Sequence, residues 1–148
     1  MTNYQFQHIF SYPPERVFAI FRKQIRETFP SVNLSNPIGT ATEKKAKGVQ
    51  GYTFILHLEI SGYKENEAYE LTTHASNRQS YVSRYELQPL PENKTQLVLT
   101  EENTTPGFWG NANTLLSKML YKKWANRKAE HLFQGIESEL VKLAGEEG

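Results

Sequence analysis

His8 is the residue best suited by position to acid–base chemistry, because it alternates with Phe6 and Phe10 on one face of the segment Tyr4–Phe10. A histidine titrates near neutrality, as general catalysis requires, and an inward tyrosine would complete an acid–base pair of cyclase or hydrolase type. The same position also suits a core histidine whose ring nitrogens are simply satisfied. His57-x-Glu59 puts two potential metal ligands on one side of a strand, too few for a typical zinc site. His74 falls on the wet face of its strand, and His131, beside Glu130, reads as solvated. Every acidic residue is Glu, and the chain contains neither Asp nor Cys. Ser-His-Asp triads, Asp-based magnesium sites, EF-hand loops, thiolate zinc sites and Cys nucleophiles are thereby excluded. No glycine-rich phosphate loop and no H-E-x-x-H pattern occurs. The sequence predicts no cofactor and no metal.

Two further clusters carry unusual residue types. Phe108-Trp109, flanked by Gly107 and Gly110, places two large aromatics in a loop. They read either as a lid with glycine hinges or as a plug at one end of the core. Lys118, Lys122, Lys123, Arg127 and Lys128, with Tyr121 and Trp124 among them, form a basic cluster. Its charges scatter around a helix axis and form no stripe, the pattern of a solvated face more than of a phosphate-tracking one. Formal charge is only +1, against nucleic acid as a partner. No apolar run approaches transmembrane length and no secretory h-region opens the chain, so the expectation is a cytoplasmic protein without integral membrane association.

The elements that must hold these residues are legible from periodicity. Tyr4–Phe10 alternates as a half-buried strand. After Tyr12-Pro13-Pro14 a helix opens, with Val17, Phe18, Ile20, Phe21, Ile25 and Phe29 on one face, and Pro30 ends it. Ser31–Gly39 holds a short helix or only a loop. Thr40–Lys45 reads as an exposed edge strand. Gly51–Ser61 sets Tyr52, Phe54, Leu56, Leu58 and Ile60 on one face. Glu67–His74 groups Tyr69, Leu71 and Thr73; Tyr81–Leu87 groups Tyr81, Ser83, Tyr85 and Leu87; Thr95–Glu101 groups Leu97 and Leu99. Joints at Gly62, Ser76-Asn77 and Pro89–Asn93 suit an antiparallel meander. Beyond Pro106-Gly107 the chain reads as helix to about Ala144, a length of roughly 50 Å at the usual rise. Its apolar stripe changes phase between Leu120 and Ala129. A kink or short break between Leu120 and Lys128, with Trp124 at the joint, is one solution; a straight helix meeting different neighbours along its length is the other. With 148 residues and no visible linker, one domain spanning residues 1–148 is expected.

The order strand, helix, loop, meander, long C-terminal helix resembles the helix-grip fold of the SRPBCC superfamily, which includes START-like lipid carriers, Bet v 1-like allergens and polyketide cyclases. Phe10-Ser11-Tyr12-Pro13-Pro14-Glu15-Arg16-Val17-Phe18 is similar to that superfamily's entry into its first helix, with Tyr12 in place of the usual small residue. The resemblance implies an α+β fold, a curved antiparallel sheet wrapped around the C-terminal helix, and a cavity between them. It looks like a bacterial branch, and no catalytic residue of the superfamily carries over.

The inward faces then offer a pocket lined by His8, Phe10, Tyr52, Phe54, Leu56, Tyr69, Leu71, Ser83 and Tyr85, with Leu120, Trp124 and Phe133 from the helix and Phe108-Trp109 at its mouth. Aliphatics with a few hydroxyls suit a small hydrophobic or amphipathic ligand of lipid, polyketide or aromatic type. A filled core with tyrosine tips at the sheet rim is the alternative. Binding of such a molecule is the leading expectation. A protein-interaction module without ligand, as chaperone-ATPase activators of this fold are, comes next, and an enzyme using His8 third. Oligomeric state is not legible.

Overall fold

The structure, a computed structural model, describes residues 2–47, 53–75, 80–103 and 115–147. Strand β1 (Thr2–Phe10) leads into helix α1 (Pro14–Thr28). Strands β2 (Ala41–Lys47), β3 (Thr53–Lys64), β4 (Ala68–Ala75), β5 (Ser80–Leu90) and β6 (Lys94–Asn103) follow, and helix α2 (Leu115–Glu147) completes the order. The strands form a 6-stranded sheet in the order β1-β6-β5-β4-β3-β2, with every ladder antiparallel. Both helices contribute to the core on one face of this sheet, which is α+β helix-grip architecture.

Local chemistry sets the bounds of α1. Pro13 is its extended N-cap, and Pro14 occupies the first helical turn, where a missing N–H costs nothing. The N–H of Phe29 donates to the Ile25 carbonyl at 2.7 Å, and Pro30 stops further winding. Val17, Phe18, Ile20, Phe21, Ile25 and Phe29 are each at most 1% exposed, so the apolar stripe read from spacing is the buried face. Residues 31–39 make turns and no helix; the side chain of Asn33 accepts the Ser35 N–H at 3.0 Å.

Strand β3 departs from expectation. It does not end at Ser61 with Gly62 as a joint but continues to Lys64, through a bulge between Ile60 and Gly62. The extra residue re-phases the strand, so Tyr63 pairs with Tyr69 and its ring meets Phe18 at 5.5 Å. A Cβ at Gly62 would lie 2.9 Å from the Glu70 Cβ, so only glycine fits beside β4 here. The turn falls instead at Glu65-Asn66, with Asn66 in the left-handed region at φ 64.

Helix α2 runs without interruption from Leu115 to Glu147, so no break falls between Leu120 and Lys128. That stretch contains neither proline nor glycine, the usual causes of a sharp bend. Ala129, Phe133, Ile136 and Leu140 are the buried residues of α2 among those described. Lys23 of α1 reaches Glu139 of α2 at 3.2 Å, tying the two helices at their surface.

Candidate functional site

The strand registers lay the concave-face residues out in rows. One row runs Phe6, Leu99, Tyr85, Tyr69, Tyr63 from β1 across to β3. The next runs Tyr4, Glu101, Ser83, Leu71, Ile60, and a third sets Tyr81, Thr73 and Leu58 side by side. Helix α1 covers the tyrosine row. The Phe21 ring lies 5.1 Å from Tyr85 and 6.4 Å from Tyr69, and the two tyrosines stack at 5.6 Å. Burial pushes both phenols well above the ordinary tyrosine value of 10.0, and at Tyr85 the nearby Glu101 adds to the rise.

The second row is polar at its centre. Ser83 is 2% exposed and Glu101 7% exposed, on a mostly apolar and aromatic face. Ser83 Oγ donates to Glu101 Oε2 at 2.8 Å, and Lys128 of α2 donates its Nζ to Glu101 Oε1 at 3.3 Å. The same Nζ stands 5.0 Å from the centre of the Tyr81 ring. A buried carboxylate needs such partners, because taking it out of water costs on the order of several kcal/mol even after the protein relaxes around it. Thr73, one row on, is 1% exposed, and its hydroxyl finds no hydrogen-bond partner among the described residues. Replacing Thr73 by valine keeps the shape and removes an unsatisfied hydroxyl, so Thr73→Val should stabilise the protein by about 1 kcal/mol. A urea midpoint that falls would show that the hydroxyl is satisfied in solution.

Coverage of the concave face is uneven. Phe10, Leu97 and Leu99, next to the helices, are at most 2% exposed. Leu56, Leu71, Tyr81 and Tyr85 face the same way yet remain partly exposed. Leu71 stands beside Ser83 in the second row, and Tyr81 stands beside Thr73 in the third.

Glu101 and Lys128 were not among the residues that sequence reading selected. The signal was present for Glu101: alternation through Leu97 and Leu99, carried one step further, puts Glu101 on the inward face. Lys128 instead reads as part of a solvated cluster, and only the docking of α2 reveals its partner.

His8 sits elsewhere. Its ring stacks on Phe133 at 5.1 Å and meets Phe10 at 4.6 Å, and its Nε2 lies 3.8 Å from Glu137 Oε2. The side chain is 40% exposed at the rim of β1, an edge strand. With Glu130, Phe133, Gln134 and Glu137 it lines a groove of about 300 Å³. At about 100° per helical residue, Lys128 leaves one flank of the buried stripe of α2, while Glu130, Gln134 and Glu137 leave the other. The His8 groove and the Glu101 cluster therefore lie on opposite flanks of the helix. Of the other residues selected from sequence, Phe10 is fully buried, Phe133 and Tyr69 nearly so, and Ser83 holds Glu101. Tyr52, Phe108 and Trp109 lie outside the described residues, as do the side chains of Phe54, Leu120 and Trp124. Among the described residues no group of three or more His, Cys, Asp or Glu is arranged to hold a metal ion, and no helix is long and apolar enough to cross a membrane.

A curved antiparallel sheet with a first helix and a long C-terminal helix on one face is the Bet v 1-like helix-grip fold. Solved structures with that architecture include Ara h 8.0201, at 14% identity and TM-score 0.59 over 95% of this chain and 98% of that chain. A conserved protein from Geobacillus kaustophilus superposes with TM-score 0.66 at 15% identity, covering 95% and 96% of the two chains. A protein from Rhodobacter sphaeroides gives TM-score 0.66 at 14% identity, covering 96% and 93%. At these identities the likeness is one of fold. The chain belongs to the family described as Domain of unknown function (DUF3284), whose model matches residues 5–122. No curated protein matches it.

Proposed function

We propose that this chain, as one SRPBCC-type domain, binds a small hydrophobic or amphipathic molecule between the concave face of the sheet and α2. The observation that carries the reading is the incomplete cover of that face: Leu71 and Tyr81 stay partly exposed beside the buried Ser83–Glu101 pair. A filled core would close over such leucines, because each buried leucine side chain is worth about 1.5–3 kcal/mol. Apolar walls with a few convergent polar groups are the usual make-up of a small-molecule site.

Native mass spectrometry of the protein purified from its own host, followed by denaturing extraction, tests the reading. A discrete small apolar mass released on unfolding is the expected result. A clean unliganded mass, together with failure to take up an apolar dye, would overturn it.

A further inference from the structure

We infer that the outer edge of β1 docks an extended basic segment of another protein, which adds a strand there and sets lysine or arginine side chains against Glu130 and Glu137. The site lies on the flank of α2 away from Glu101, so it goes beyond the pocket reading and does not depend on it.

The sheet ends on β1 and β2, and the two ends are built differently. Strand β2 carries Glu43, Lys44, Lys45 and Lys47, charges of the kind that keep an end strand from pairing with another chain. Strand β1 contains no Lys, Arg, Glu or Pro. Its ladder to β6 runs unbroken from Thr2 opposite Asn103 to Phe10 opposite Thr95, so no bulge turns the edge aside. With one ladder made, a strand of 9 residues directs every second N–H and C=O outward. Only one end of the sheet is guarded.

The groove beside that edge is acidic. It takes His8 from β1 and Glu130, Phe133, Gln134 and Glu137 from α2, and no residue of β6. It therefore opens on the side of β1 where a further strand would lie. Among the described residues no Lys or Arg lines it. Arg127, a turn before Glu130, is exposed and lies about 60° further round the helix, away from β1. Glu130 is exposed, and Glu137, 3.8 Å from His8, is 45% exposed, so both carboxylates are within reach of a docked segment. They stand two helical turns apart, about 10 Å along the axis. Side chains on one face of an added strand recur about every 6.7 Å, so successive basic residues on that face span both. A second copy of the chain fits less well. Its β1 brings no cation but His8, and pairing β1 with another copy's β2 is head-to-tail, which propagates into a filament.

The test is fluorescence anisotropy of the full chain at neutral pH with three labelled decapeptides, alternating Lys-Val, Glu-Val and Lys-Pro. Lys-Val should bind about tenfold or more tighter than Glu-Val, since each exposed ion pair is worth up to about fivefold. Lys-Pro has the same charge but half its residues lack the N–H that a ladder needs, so it should also bind about tenfold more weakly. The double variant Glu130→Gln/Glu137→Gln should weaken Lys-Val about tenfold. Amide hydrogen exchange should slow over residues 2–10 on binding and stay unchanged over residues 41–47. Equal binding of Lys-Val and Glu-Val, equal binding of Lys-Pro, or slowed exchange at β2 alone would overturn the inference. So would binding of none of the peptides. A chain that dimerises in sedimentation, with exchange over residues 2–10 slowed by protein concentration alone, would give the edge to a second copy and overturn the basic partner.

Discussion

Replacing Phe21 by alanine should lower the unfolding free energy by about 3–5 kcal/mol, a large part of the stability of an ordinary domain. Phe21 is 1% exposed and sits at the meeting point of α1 and the tyrosine row, touching Phe18, Tyr69 and Tyr85 through ring contacts. Truncation removes the burial of one aromatic ring and leaves a cavity between helix and sheet that rigid strand partners cannot collapse into. Urea unfolding followed by circular dichroism would measure the change. A loss under 1 kcal/mol would mean that α1 re-docks and that the row is less tightly covered than its geometry indicates.

Alkaline pH should unfold the protein steeply. Tyr69 and Tyr85 both have their phenol pKa raised above the ordinary 10.0, chiefly by burial. A raised value in the folded state means that the native protein keeps a proton which the unfolded chain releases. Stability from these groups is therefore complete below pH about 10 and falls as pH climbs toward the folded values. Each tyrosine contributes a slope of about 1.36 kcal/mol per pH unit, so the pair contributes roughly 2.7 kcal/mol per unit. Phenolate absorbance from these two rings should appear together with loss of the helical signal, and the double variant Tyr69→Phe/Tyr85→Phe should unfold at higher pH. Complete phenolate formation while the fold persists would refute the linkage.

Much of this architecture can be read from spacing alone, because burial and periodicity coincide wherever an element has a single wet side. The stripe of α1 is the best case, and the alternation along β1 another: Phe10 is fully buried while its neighbour Ile9 is 54% exposed on the other side. Where legibility failed, the cause lies in a tertiary fact. The bulge at Gly62 depends on how closely β4 approaches, which no local pattern encodes. The site divided along the same line. Ser83 and the tyrosines follow from alternation, whereas the partnership of Glu101 with Lys128 joins a strand to a helix that local sequence cannot relate. His8, the most suggestive residue by type, lies at the rim because β1 is an edge strand, and edge position is a property of the whole sheet.

The strand order also sets a timetable for folding. Ladders β2–β3 through β5–β6 join neighbours in the chain, but β1 pairs with β6, setting Thr2 opposite Asn103 and Phe10 opposite Thr95. Closing so long a loop is slow compared with forming hairpins. During synthesis β1 and α1 emerge first and must wait until β6 has been made before the sheet can be completed. Until β1 docks on it, β6 is an open edge, and its Leu97-Val98-Leu99 stretch is available to a neighbouring chain. The arrival of the amino-terminal strand is thus the step that turns a sticky meander into a finished sheet.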